Sequence, residues 1–299
     1  MRNAFIEELV IAARENPQIA LIVGDLGYSV IEPFADEFPD RFINAGVAEQ
    51  NMTGLAAGMA SEGYHVFTYS IANFPTLRCA EQIRNDVDYH KLPVTVVSVG
   101  GGLTYGALGY SHHAVQDYAL MRTFPNMLIA APGDAMEVRA CMRYLIANPG
   151  PSYLRLGKAG EPNFHSAPPE VAPGRWLKVR EANEKQVFLS TGTGLQIAMD
   201  WTKTDEYASR SVYSMPLWSM ASKATQADQL RAYKDVVTVE DHLYDGGFGS
   251  WLLESVANHD GLVRKTKIKA LKSEVCGMVA SQAELHKAGG MFLGDYSKY

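Results

Sequence analysis

The sequence predicts an α/β protein of two domains, each a mostly parallel sheet flanked by helices. Three observations predict it. Strand-like apolar runs alternate with helix-like segments along the chain. The runs Ile19–Val23 and Val94–Val99 are continuous and largely β-branched, as strands buried on both faces are. Between Gly157 and Trp176 the alternation lapses into a stretch holding Pro162, Pro168, Pro169 and Pro173, which reads as a linker. The 299 residues accommodate two domains of roughly 100–200 residues each. The expected division is 1–160, a linker at 161–178, and 179–299.

Taken in order, Arg2–Glu15 carries a helical pattern that Pro17 ends. Ile19–Val23 is a strand delivering Gly24-Asp25-Leu26-Gly27 at its carboxyl tip, where ligands of open α/β sheets bind. Ser29–Asp40 is a helical turn and loop, and Phe42–Asn44 a short strand leading into a helix that runs from Glu49 to Gly63. His65–Tyr69 is a strand, Thr76–Val87 a helix, Val94–Val99 a strand, and Gly100–Gly109 a glycine-rich loop. A helix over His113–Arg122, a strand at Leu128–Ala130 and a helix capped by Asp134 complete the first domain. The second alternates strands at Val187–Ser190, Val212–Met215, Val236–Glu240 and Thr266–Ala270 with helices at Leu195–Thr202, Ala224–Tyr233, Gly249–Val256 and Ser281–Ala288.

A net charge of -6 leaves no basic surplus for nucleic acid. Cys79, Cys141 and Cys276 are dispersed and odd in number, so neither a zinc site nor a disulfide framework is expected, and a reducing cytoplasm is. The N-terminal pattern of Phe5, Leu9, Val10 and Ala13 reads as a surface helix and not a signal peptide. No apolar run approaches the roughly 20 residues of a membrane span.

The stretch Ile43–Ala57 organises the rest. It reads as strand, Gly46 turn, and a helix opening on Glu49, where an acid suits the helix dipole. The run A-G-V-A-E-Q-N-M, followed by G-L-A-A-G-M-A, resembles the catalytic glutamate segment of the transketolase family. The resemblance extends over nearly the whole chain and matches the C-terminal half of a full-length transketolase. It implies a pyrimidine-binding domain followed by a transketolase C-terminal-like domain, with thiamine diphosphate as cofactor. Glu49 is then the catalytic glutamate, contacting the aminopyrimidine from a pocket with Met52, Leu55 and Met59.

Other residues take roles by the same resemblance. Phe74 in VFTYSIANFPTL lies nearest the family's stacking phenylalanine, with Tyr69 second; Ile71 and Leu77 stand where further aromatics are usual. Asp25 falls near the cofactor, although a turn cap would serve as well, and Ser29 falls on a donor-phosphate ligand. In LTYGALGYSHHAVQD, His112 matches the substrate histidine and His113 adjoins it. Lys158, or Arg155, takes the place of a phosphate arginine. Two departures stand out: Leu108 replaces a hydroxyl-reading aspartate, and Gly100 a substrate histidine, leaving Tyr105 or Tyr110 to read the hydroxyl.

The G-D-G segment that holds Mg²⁺ and diphosphate in thiamine enzymes is missing, so no metal ligand is expected here. A separate N-terminal-half subunit is expected to carry that site in an α2β2 assembly. The implied activity is transfer of a two-carbon ketol unit from a ketose or ketose phosphate to an aldehyde. The alternatives are the β subunit of a 2-oxoacid or acetoin dehydrogenase, a deoxyxylulose phosphate synthase-like enzyme, and a non-catalytic partner subunit.

Overall fold

The computed structural model describes residues 1–158 and 160–291. Its strands are β1 (Ile19–Val23), β2 (Phe42–Asn44), β3 (His65–Ile71), β4 (Val94–Val99), β5 (Leu128–Ala130), β6 (Ser152–Leu156), β7 (Leu177–Arg180), β8 (Asn183–Ser190), β9 (Arg210–Ser214), β10 (Leu217–Ser219), β11 (Asp235–Leu243) and β12 (Thr266–Leu271). They form a seven-stranded sheet, β10-β5-β6-β4-β3-β1-β2, and a five-stranded one, β12-β11-β8-β9-β7. Among the described residues two edge strands pair antiparallel, β10 with β5 and β7 with β9, and the other strand pairs are parallel. Helices α1 (Arg2–Glu15), α2 (Glu32–Glu37), α3 (Glu49–Ser61), α4 (Ala80–Gln82), α5 (Asp117–Met121) and α6 (Ala135–Ala147) accompany the first sheet. With the second come α7 (Gly194–Trp201), α8 (Gln226–Arg231), α9 (Phe248–Ser255), α10 (Asp260–Val263) and α11 (Gln282–Ala288). None of these is long and apolar enough to cross a membrane.

The period-two alternation of β3 divides the first core. Phe67 and Tyr69 face a cluster with Phe5 and Leu9 of α1 and Val138 and Leu145 of α6. Val66 faces the other side, with Met52 and Ala56 of α3. That second cluster continues without a break into the other half, through Val187, Trp218, Phe248 and Trp251. The two sheets therefore share an apolar seam, and α1 is a largely buried helix wedged against α6, not the surface helix expected. Its Glu8 is buried with it and pairs with Arg139 and Arg143 of α6.

Three strands lie where the sequence suggests none. β6 contains Arg155, a charge that interrupts its apolar run; β7 is a short edge; β10 has three residues. The expected helix over Thr76–Val87 is instead a 3-10 turn at Leu77–Cys79, then α4, then a π-helical turn at Ile83–Asp88. The helix expected from His113 starts only at Asp117, because Ala114 bridges back to Gly102 in extended form.

Arg155 explains how a charge occupies a buried strand. Its Nε donates to Asp117 Oδ2 at 2.7 Å, Nη1 to the Tyr118 hydroxyl at 3.2 Å, and Nη2 to the carbonyls of Ala114 and Asp241 at 2.8 and 2.9 Å. Arg155→Met leaves the Asp117 carboxylate buried without its cation, a change that costs about 3–5 kcal/mol. Chemical denaturation of the variant beside wild type is expected to show a loss of that size.

Candidate active site

In the first sheet, β1 connects from its carboxyl end to β2 on one side, whereas β3 connects to β4 on the other. Adjacent strands whose connections diverge leave a crevice at their carboxyl tips, the usual ligand site of an open α/β sheet. Glu49 stands in it. Gly46, at φ +70°, turns the chain from β2 toward α3, and Glu49 is the first helical residue. Its side chain is 1% exposed. Oε1 accepts from Ser70 Oγ of β3 at 3.2 Å, and a Cβ on Gly24, just past β1, would lie 3.4 Å from the same oxygen. Thr53 Oγ1 donates to the Glu49 carbonyl at 2.9 Å and steadies the first turn.

The other carboxylate oxygen has a partner that the sequence pattern does not announce. Arg78 Nη1 lies 2.5 Å from Glu49 Oε2, and the Arg78 side chain is 44% exposed. The same guanidinium lies over the Phe74 ring, 4.7 Å from its centroid. Phe74 is half-buried and meets His112 edge-on at 5.3 Å between ring centroids. Glu49, Arg78, Phe74 and His112 are thus joined by successive contacts. The expected apolar pocket around Glu49 is only partly present: Met52 is buried in the core, Met59 packs at its margin, and Leu55 is 38% exposed on the outer face of α3.

His112 rides on the loop after β4. Its Nδ1 lies 3.0 Å from Ser111 Oγ. Burial, then the neighbouring His113, lowers its pKa below the ordinary imidazole value. His113 is a correction to the sequence-based expectation: it is wholly buried, with Nε2 3.1 Å from the Gly106 carbonyl, and so holds the loop together. Asn73 Nδ2 ties the same loop to the end of β3 by donating to the carbonyls of Ser111 and His113. At Gly100 a side chain has no room: a Cβ would fall 2.1 Å from the Tyr105 ring, which fills that space. Leu108 is 57% exposed at the rim, and the Tyr110 hydroxyl accepts from Gln116 at 2.8 Å.

The second half supports this loop from below. Asp241 Oδ2 accepts from Leu103 N and Thr193 Oγ1, both at 3.3 Å, while Oδ1 lies 2.9 Å from His286 Nε2 on α11. Gly102, at φ +67°, is required here, since a Cβ would meet Asp241 Oδ2 at 1.9 Å. Burial disfavours a charged His286, but the attraction and hydrogen bond of Asp241 outweigh it and raise its pKa. Burial likewise pushes Asp241 up, and His286 with Arg155 more than reverses this, lowering it.

Among the other candidates, Asp25 and Ser29 lie on the exposed loop after β1, both with positive φ, at 54° and 67°. Asp25 Oδ1 accepts from Asn44 Nδ2 at 2.9 Å and Tyr28 at 3.2 Å; Ser29 N donates to Glu32 at 2.7 Å. Non-glycine residues held at positive φ mark loops under local strain. Tyr69 is ruled out as an aromatic platform, because the pleat turns it away from Glu49 to stack on Phe5. Arg155 is ruled out as an anion ligand, because it is buried and each of its three nitrogens donates to an interior partner. Lys158 is exposed by α1, where its carbonyl accepts from Arg2, and is not part of the Glu49 set. The members that sequence reasoning misses are Arg78, Ser70 and Asn73. Arg78 carries no sequence signal, since Phe74 lies in the turn ahead of the helical segment and their contact is made by the fold.

Residues 1–160 match the family described as transketolase, pyrimidine binding domain, and residues 174–292 match the transketolase C-terminal domain. A putative transketolase C-terminal section from Methanocaldococcus jannaschii is 34% identical over 298 residues, covering 97% of this chain and 92% of that protein. One of the subunits of an apulose-4-phosphate transketolase from Actinobacillus succinogenes is 31% identical over 261 residues, covering 87% of this chain and 84% of that one. A solved split gene transketolase, described as an inactive beta4 tetramer, superposes with a TM-score of 0.82 at 30% identity, covering 97% of this chain and 93% of that one.

The His286–Asp241 pair makes a pH-dependent contribution to stability. The raised His286 gives stability that is complete below its ordinary value and lost as pH rises through its folded one. The lowered Asp241 gives stability present above its ordinary value and lost as pH falls through its folded one. His286→Gln is therefore expected to lower the melting temperature most in mildly acidic buffer, with the gap to wild type narrowing as pH rises through the raised pKa of His286 in parallel thermal melts.

Proposed function

This chain belongs to the transketolase family, and we propose that it is the C-terminal subunit of a split transketolase. In this reading it moves a two-carbon ketol unit from a ketose or ketose phosphate to an aldehyde. The observation that carries it is the placing of Glu49: a carboxylate buried at the divergence of β1 and β3, with the half-buried Phe74 ring alongside. The likeness to subunits and sections of transketolases over nearly their whole length supports the division of the enzyme between two chains. Residues 1–160 serve as the pyrimidine-binding domain, 161–178 as linker and 179–299 as the C-terminal domain.

The residues present fit the aminopyrimidine end of thiamine diphosphate. Glu49 offers a buried hydrogen-bond acceptor that can take and return a proton, and Phe74 offers an aromatic face to a planar ring. The cofactor, when bound, supplies the nucleophilic carbon and the electron sink. Glu49 holds the proton that must move at the ring nitrogen. His112, beside Phe74 with its imidazole neutral, donates a hydrogen bond to a substrate oxygen. Asp25 and Ser29 border the same crevice from the β1 side.

Among the described residues no group of three or more His, Cys, Asp or Glu is placed to hold a metal ion. We assign Mg²⁺ and the diphosphate to an N-terminal-half partner subunit in an α2β2 enzyme of the cytoplasm. The arginine that would grip a donor phosphate is not Arg155, and Leu108 at the rim replaces a polar reader of the donor. Both features favour a donor outside the ordinary ketose phosphates.

The test is turnover by this chain with its partner, Mg²⁺ and thiamine diphosphate on ketose, ketose phosphate and 2-oxoacid donors, each chain alone as control. Aldehyde release from a ketose only when both chains are present is expected; CO₂ from a 2-oxoacid moves the chain to the decarboxylating relatives. In the active complex Glu49→Gln is expected to lower kcat by about 10²–10⁴-fold. Unchanged turnover would make the chain's role non-catalytic.

A further inference from the structure

We propose that Arg78 occupies the pyrimidine seat of the free chain and has to leave it when the cofactor binds. The inference rests on the reading of Glu49 and Phe74 just given. One planar cation makes the two contacts that an aminopyrimidine would make: a hydrogen bond to the Glu49 carboxylate, 2.5 Å from Arg78 Nη1, and a face-on contact with Phe74, 4.7 Å from Cζ to the ring centroid. A guanidinium spanning acid and ring fills the gap between them. The ring and the guanidinium therefore exclude one another.

The energetics suit a displaceable occupant. A charge-assisted hydrogen bond contributes more than a neutral one, and a cation over an aromatic face adds a modest attraction where the cation is solvated. Glu49 is 1% exposed, so without a donor its second oxygen would be a buried carboxylate oxygen with nothing to satisfy it. Arg78 meets that need while the seat is empty. Its side chain is 44% exposed, so water is at hand to solvate it on leaving. Its backbone lies in the 3-10 turn Leu77–Cys79, between the strand-end loop of Phe74 and α4, which lets the side chain swing without moving the sheet. No other cation contacts Glu49 among the described residues.

An occupant that competes with a ligand lowers apparent affinity by the fraction of molecules in which it is seated. Arg78→Met removes the cation and keeps the stem's length and apolar character. The measurement is thiamine diphosphate binding by the assembled two-subunit complex with Mg²⁺, followed by calorimetry. Arg78→Lys and Arg84→Met, an exposed arginine on the following turn, serve as controls. Arg78→Met is expected to tighten binding by about fivefold or more, with Arg84→Met unchanged and Arg78→Lys between. Binding by wild type with Arg78→Met equal or weaker overturns the seat-holding role and leaves the assignment of Glu49 and Phe74 standing. Failure of the wild-type complex to bind the cofactor at all overturns both. Circular dichroism of each variant confirms that the comparison is between folded complexes.

Discussion

A buried guanidinium is costly without hydrogen-bond partners, and Arg155 finds one at each of its three nitrogens by reaching into both halves of the molecule. Asp117 and Tyr118 come from α5, the Ala114 carbonyl from the loop after β4, and the Asp241 carbonyl from β11 of the second sheet. Removing any of these leaves a desolvated charge or donor unmet. The backbone at Ala114 is thereby fixed, and so is its bridge to Gly102, where the loop bearing His112 begins to fold back. The same Asp241 whose carbonyl accepts from Arg155 turns its carboxylate to Leu103, Thr193 and His286. One network thus fixes the domain interface and the floor of the loop bearing His112 together.

Most of the fold is legible in the sequence because its strands are buried on both faces. Such strands advertise themselves as unbroken apolar runs, and β1 and β4 begin and end where those runs do. β6 escapes notice because Arg155 interrupts its run, and that charge is tolerated only through partners distant in sequence. β10 escapes because three residues carry too little pattern, and its partner β5 lies far earlier in the chain. The segment from Thr76 to Asp88 has helical spacing but three different helical windings, a tertiary outcome that spacing does not record.

The site divides in the same way. Glu49 is visible because a local motif carries it, and Phe74 and His112 are candidates because their segments resemble those of the transketolase family. His113 and Arg155 are of the right chemical types, yet what decides their roles is burial, and burial depends on residues 7 to 86 positions away. The side chain of Tyr69 differs from its neighbour Ser70 only in which face of the pleat it takes, and that parity separates a core ring from a contact to the Glu49 carboxylate.

β10 belongs by sequence to the second half but completes the edge of the first sheet, while its Trp218 packs in the cluster common to both. Separating the halves at the proline-rich stretch would leave β5 paired only with β6 and open a row of unpaired amides and carbonyls on its other side, an invitation to pair with other chains. The two family domains are therefore inseparable as folding units. A division within this segment would separate a sheet from its own edge, because one domain finishes the backbone hydrogen bonding of the other.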